Sequence, residues 1–170
     1  PVQILVNNLL YDVSQTALAA DDVDADFLAQ PRRWDISGIG RYMICIGPLS
    51  SLFDYVTFGV MAWVFNGLHD HALFQTGWFV ESLLSQTLIV HVIRTGRIPF
   101  VESRPSRTLL AMTVAVCATG VWLPFSPMAP ALGLTQLPAG YWWALAAILA
   151  GYLTLTQLVK TWAIRRFNLT

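Results

Sequence analysis

Five long stretches of mostly apolar residues dominate the 170-residue sequence. They cover residues 1–20, 39–65, 78–93, 109–125 and 139–164, with Gly, Ser and Thr tolerated inside them. A helix that crosses about 30 Å of hydrocarbon needs about 20 such residues. The stretches also lack the apolar and polar alternation of membrane strands. The pattern therefore predicts an all-α membrane protein, with residues 1–170 forming one bundle of five transmembrane helices.

The composition excludes an ordinary water-soluble domain. Only 12% of the residues are charged and 55% are hydrophobic, whereas a soluble domain has about 25% charged residues. Ten acidic and ten basic residues give a formal net charge of zero, so the charge balance does not indicate a nucleic-acid partner. Because the sequence begins with Pro1 inside an apolar stretch, we expect it to be part of a longer protein.

The basic residues divide the connections between the stretches into two groups. All ten basic residues fall around the first and third connections or toward the C-terminal end, whereas residues 66–77 and 126–138 carry none. The ten are Arg32, Arg33, Arg41, Arg94, Arg97, Arg104, Arg107, Lys160, Arg165 and Arg166. Because cytoplasmic loops are enriched in Lys and Arg, these segments and the C-terminus are predicted to be cytoplasmic. Residue 1 then lies near the outer face, which predicts at least one further helix upstream.

Two polar residues in the first stretch form a candidate metal site. Asn8 and Asp12 are four residues apart and therefore lie on one face of a helix. An amide carbonyl and a carboxylate are hard oxygen donors of the kind that Mg²⁺ and Ca²⁺ take, and few protein ligands suit Mg²⁺ because it retains water. The alternative is an interhelical hydrogen bond that only holds helices together.

Two more carboxyl groups fall inside predicted spans, where an ionisable residue is costly and often functional. Glu81 lies one turn from Ser85 in a polar third stretch that also contains Gln86. Asp54 follows Gly47-Pro48 in the second stretch and has no second donor at ligand spacing in its own helix. A hydrogen-bond network and an ion pathway are both open interpretations of these residues. In either case Glu81 is predicted to face protein or water rather than lipid.

Four separated blocks of sequence resemble the magnesium-transporting branch of the bacterial P-type ATPases. They are the residues from Asn8 to Gln15 (Asn-Leu-Leu-Tyr-Asp-Val-Ser-Gln), from Gly47 to Asp54, from Phe74 to Glu81 and from His91 to Phe100. The resemblance covers nearly the whole chain. It implies that the five stretches correspond to helices six to ten of a ten-helix pump, and that Asn8 and Asp12 match the Asn and Asp that bind the transported cation.

The resemblance also implies an activity and partners. Such pumps move Mg²⁺ into the cytoplasm, across the bacterial inner membrane, using ATP hydrolysis that passes through an aspartyl phosphate. The Asp-Lys-Thr-Gly-Thr phosphorylation segment does not occur in these 170 residues. The implied partners are therefore Mg²⁺, which also accompanies ATP, the lipid bilayer, the upstream helices, and the cytoplasmic ATPase domains of the same parent chain.

Other functions stay open alongside this expectation. Tyr11 stands where calcium pumps carry Thr, and Gln86 or Glu81 stands where their eighth helix carries a ligating Glu; both differences argue against Ca²⁺. Tyr11, Asp54, Glu81 and Gln86 together are the candidates for a secondary ion pathway. The alternatives are a Ca²⁺ or Mn²⁺ pump of the same superfamily and a membrane scaffold without enzymatic activity.

Overall fold

A computed structural model describes residues 2–22 and 36–167. Five α-helices follow one another along the chain: α1 (Val2–Thr16), α2 (Ile36–Gly59), α3 (His71–Ile93), α4 (Arg107–Trp122) and α5 (Ala139–Phe167). They overlap all five predicted stretches, and the described ranges contain no β-strand. The fold class is therefore all-α, as predicted. Arg32 and Arg33, on which part of the predicted orientation depends, lie outside the described residues.

Short irregular turns continue three of the helices to the predicted ends. A 3₁₀ turn, Ala17–Ala20, follows α1; a π-helical segment, Val60–Val64, follows α2; and a second 3₁₀ turn, Leu123–Phe125, follows α4. Three segments, Met43–Val64, Arg107–Phe125 and Ala139–Arg166, are long and apolar enough to cross a membrane. α1 has only 15 residues, and α3 carries many polar side chains.

α3 begins at His71, well before the predicted start at Trp78. The Asp70 side chain caps the helix by accepting a hydrogen bond from the Leu73 N–H at 3.0 Å, which satisfies one of the unpaired donors of the first turn. The Thr76 hydroxyl donates to the Ala72 carbonyl at 2.7 Å and accepts from the Thr135 N–H at 3.0 Å. Polar residues that suggested a loop are therefore accommodated within the helix.

α3 is the central helix of the bundle, because it packs against α1, α2, α4 and α5. α2 and α5 also pack extensively against each other. The core around α3 includes Met61, Phe79, Leu83 and Tyr141, each with no exposed surface. A helix surrounded by protein can carry polar side chains without exposing them to lipid, which accounts for the polar character of the third stretch.

Candidate functional site

α1 presents different polar residues on its two sides. Gln3, Asn7 and Ser14 are buried against the bundle, and the Gln3 side chain donates to the Gly133 carbonyl at 2.8 Å. Asn8 and Asp12 lie on the other side of the helix, and both are exposed. The sequence spacing correctly places them on one face. The structure adds that this face is turned away from the four other helices.

Neither Asn8 nor Asp12 forms a side-chain hydrogen bond with any residue that the structure describes. Within residues 2–22 and 36–167, moreover, no group of three or more His, Cys, Asp or Glu side chains could hold a metal ion. The predicted pair is therefore one carboxylate and one amide on an open helix face. Such a donor set can hold a divalent cation only with further ligands from water or from other protein segments.

Asn7, next to this pair, is a buried residue that sequence reasoning did not single out. Asn7 is 2% exposed, and neither the nitrogen nor the oxygen of its side-chain amide forms a hydrogen bond with a described residue. The signal in the sequence was the doubled Asn7-Asn8 inside an apolar stretch. The spacing could not show that one amide faces the bundle and the other faces outward.

Glu81 faces the protein interior, as predicted. The residue is 1% exposed, and its Oε2 atom has no hydrogen-bond partner among the described residues. The carboxylate of Asp54 accepts a hydrogen bond from the Trp78 indole N–H at 3.1 Å. This hydrogen bond joins α2 to α3, but it does not supply the second oxygen ligand that Asp54 lacks in its own helix. Trp78 is three residues from Glu81, so Asp54 contacts the same side of α3 that carries Glu81.

The other two candidates for a secondary pathway have different surroundings. The Gln86 amide donates to the Ser82 hydroxyl of its own helix at 2.8 Å, which already satisfies one of its donors locally. Tyr11 is half-buried. Tyr152 of α5, which no sequence pattern indicated, is buried, and its hydroxyl lies 3.3 Å from the hydroxyl of Ser50 on α2.

Lys160 has a role that its place in the sequence did not reveal. The sequence pattern assigned it to the basic C-terminal end, whereas the structure shows a residue with no exposed surface. Its ammonium group donates to the carbonyls of Val92 at 3.0 Å, Thr95 at 3.1 Å and Arg97 at 2.9 Å. These carbonyls belong to the last turn of α3 and the segment after it, so the lysine joins α5 to the end of α3.

A second polar junction links α1 to the segment between α3 and α4. The carboxylate of Asp21 forms an ion pair with Arg94 and accepts a hydrogen bond from the Ser106 N–H at 2.8 Å. Arg94 also donates to the Ser103 hydroxyl at 3.0 Å. Because α1 and α3 end at the same junction, this end of the bundle gathers Asp21 and Arg94 from two of the predicted cytoplasmic connections.

Comparison with known families gives the class of protein to which this helical bundle belongs. The family described as "Cation transporting ATPase, C-terminus" matches residues 1–162. The chain belongs to this family.

Several curated proteins are similar over almost the entire chain. A "Magnesium-transporting ATPase, P-type 1" of Escherichia coli (strain K12) is 54% identical over 170 residues, and one of Salmonella typhimurium (strain LT2) is 53% identical over 170 residues. A further Salmonella typhimurium protein of that name is 46% identical over 169 residues. The alignments cover 98–99% of this chain and 19% of each relative. The chain thus spans about a fifth of the length of these relatives.

Proposed function

We propose that this chain is the C-terminal membrane portion of a P-type ATPase that moves Mg²⁺ into the cytoplasm. Its five helices would be helices six to ten of the pump, in the bacterial inner membrane, with the C-terminus in the cytoplasm. ATP hydrolysis would take place in cytoplasmic domains outside these 170 residues. The names of the relatives support Mg²⁺ as the cargo, and the family supports the coupling to ATP.

The observation that carries this proposal is the open face of α1 with Asn8 and Asp12 one turn apart. A carboxylate placed at that depth is costly unless something compensates it, and no described residue does. The unoccupied face is where the upstream helices of such a pump would pack. They would then supply the donors that the pair lacks, and retained waters would complete an octahedral shell around Mg²⁺.

Roles within the pair follow from their chemistry. Asp12 supplies the negative charge, and Asn8 supplies a neutral oxygen from the adjacent turn. One carboxylate neutralises only half of the charge of a divalent ion, so the binding stays weak enough to permit release. Asn7 lies on the packed side of the same helix, where it is buried.

The decisive experiment replaces Asp12 by Asn in the intact parent pump. The side chain keeps its size and loses its charge, so Mg²⁺-stimulated ATP hydrolysis should fall at least about tenfold, because a charge-assisted contact is worth about 1.5–3 kcal/mol. Asn8→Ala should weaken Mg²⁺ activation less, because it removes a dipole and leaves the charge. Both effects are measured as the Mg²⁺ dependence of ATP hydrolysis by the purified pump.

Asp22→Asn is the matched control, since this exposed carboxylate lies beyond the end of α1. It should leave the Mg²⁺ dependence unchanged. Normal Mg²⁺ activation of the Asp12→Asn pump would contradict the proposed site. Stimulation by Ca²⁺ or Mn²⁺ in place of Mg²⁺ would instead assign the pump to another branch of the superfamily.

A further inference from the structure

The first turn of α1 is attached to the bundle by one side-chain hydrogen bond. The Gln3 amide donates to the Gly133 carbonyl at 2.8 Å, and Gln3 is 8% exposed. The other two buried polar side chains of α1 form no such bond to another element among the described residues. Asn7 has no hydrogen-bond partner there, and Ser14 donates to the Tyr11 carbonyl of α1 itself. Gln3 is therefore the polar contact that fixes this part of α1 against the bundle.

The acceptor of this bond belongs to a compact turn that is itself fixed. Gly133 follows the 3₁₀ turn Pro130–Leu132 in a left-handed backbone conformation with a φ of 68°. Its N–H donates to the first carbonyl of that turn at 3.1 Å. Two residues later, the Thr135 N–H donates to the Thr76 hydroxyl of α3 at 3.0 Å. The Gly133 carbonyl thus has a set direction, and Gln3 connects α1 through this turn to the central helix.

The attachment of Gln3 determines the direction of the Asp12 side chain. The nine positions from Gln3 to Asp12 amount to about two and a half turns at 3.6 residues per turn, which puts the two side chains on opposite sides of α1. The structure agrees, since Gln3 is buried against the bundle and Asp12 is exposed. A rotation of α1 by one residue position, about 100°, would break the bond to Gly133 and turn Asp12 away from the open face.

We propose that Gln3 is a positioning residue for the cation site, because its hydrogen bond to Gly133 fixes the rotation of α1 and thereby the direction of Asn8 and Asp12. This inference rests on the proposed function, since it concerns the same pair of ligands. Gln3 lies on the opposite side of the helix and does not touch the cation. Without the bond, α1 occupies several rotations, and the apparent affinity for the cation falls with the fraction of pumps in which the ligands are in place.

The test replaces Gln3 by Leu in the intact parent pump, which keeps the approximate size of the side chain and removes the donor. The concentration of free Mg²⁺ that half-activates ATP hydrolysis, measured at constant Mg·ATP, should rise about three- to tenfold, as expected for the loss of one hydrogen bond. The maximal rate should stay close to that of the parent pump, because saturating Mg²⁺ shifts α1 into the binding rotation. Thr76→Val removes the acceptor of the Thr135 N–H and should shift half-activation in the same direction.

Gly120→Ala is the control for a loss of stability that does not involve Gln3. A Cβ atom on Gly120 of α4 would lie 2.7 Å from the Leu83 Cδ2 atom of α3, so this variant should unfold at a lower temperature and keep the half-activating Mg²⁺ concentration of the parent pump. Unaltered half-activation in Gln3→Leu would overturn the positioning role. An equal shift in Gly120→Ala at the same loss of thermal stability would also overturn it, because the bond of Gln3 would then serve folding only.

The Asp12→Asn pump separates this inference from the proposed function. Impaired Mg²⁺ activation in Asp12→Asn together with normal activation in Gln3→Leu would overturn the positioning role alone, and Thr76→Val decides the same question if Gln3→Leu does not fold. Normal activation in Asp12→Asn would overturn the proposed site and, with it, the role of Gln3. In a pump that carries both Gln3→Leu and Asp12→Asn, the loss of Gln3 should add less than it does alone, because the carboxylate that it orients is gone. Fully additive effects would contradict the proposal.

Discussion

Individual buried polar side chains show which contacts hold this bundle together more clearly than its exposed charged side chains do. Lys160 is an example, because its ammonium group donates to three backbone carbonyls at and just beyond the end of α3. The C-terminal end of a helix carries partial negative charge, so the carbonyls at that end stabilise a buried cation. Asn7, Thr57 and Glu81 are different, since each retains at least one buried atom without a described partner.

Replacing Lys160 by Met tests this contribution at the residue scale. The variant keeps a long flexible side chain but leaves the carbonyls of Val92, Thr95 and Arg97 without their common donor. Loss of hydrogen bonds to a buried charged group should lower the free energy of unfolding by about 2–5 kcal/mol. Thermal unfolding of the pump in detergent measures the change.

Arg165→Met is the control on the same helix, because Arg165 is basic and exposed. It should leave the midpoint of unfolding nearly unchanged. An equal effect of the two substitutions would show that general charge at the C-terminal end, and not the contacts of Lys160, is responsible.

At the scale of whole elements, α3 organises the bundle and small residues allow its close packing. A Cβ atom added to Gly120 of α4 would lie 2.7 Å from the Leu83 Cδ2 atom of α3, and Leu83 has no exposed surface. One added to Gly77 of α3 would lie 2.5 Å from the Met61 sulfur. Helix association in membranes depends on such close approach, because lipid is as apolar as the helix faces.

Gly120→Ala is therefore expected to destabilise the packing of α4 against α3. Inserting a methyl group into a filled core costs about 1–3 kcal/mol, which exceeds the gain of up to about 1 kcal/mol that Ala brings to a helix. The unfolding midpoint in detergent should fall.

Gly40→Ala is the matched control, since Gly40 lies within α2 and an added Cβ would meet nothing within 4 Å among the described residues. It should be neutral or slightly stabilising. A comparable loss of stability in both variants would mean that backbone freedom, and not the approach to Leu83, explains the glycine in α4.

For the whole molecule, the proposed orientation rests on the separation of basic residues between alternate connections. The segment between α2 and α3 has none, whereas the segment between α3 and α4 contains Arg94, Arg97 and Arg104. The junction of Asp21, Arg94 and Ser106 ties the end of α1 to this basic segment. The ends of α1 and α3 and the start of α4 therefore lie at one end of the bundle, in agreement with alternating crossings.

Cysteine labelling in intact cells tests the orientation. Leu68 and Ile98 are both exposed, in the second and third connections respectively. In a background without Cys45 and Cys117, a membrane-impermeant reagent should label Leu68→Cys from outside the cell. Ile98→Cys should react only after the membrane is opened. The reverse pattern of labelling would invert the proposed topology.

The sequence alone was sufficient for features that depend on local composition and spacing. Apolar length predicts the five helical segments, because the thickness of hydrocarbon sets the length of a span. The four-residue interval between Asn8 and Asp12 predicts a shared face, because the helical period is 3.6 residues. Burial of Glu81 followed from the cost of exposing a carboxyl group to lipid. The start of α3 at His71 was not predicted, although Asp70 caps it locally; only the contact of Thr76 with the Thr135 N–H depends on the folded chain.

Only the tertiary structure decided how the helices are arranged around one another. It placed Asn8 and Asp12 on the open side of α1, joined Asp54 of α2 to Trp78 of α3, and buried Lys160 at the end of α3. No pattern within one helix contains this information, because the partner of each group lies on another helix at a distant point in the sequence. The order and rotation of helices follow from packing over the whole bundle, which local periodicity does not determine.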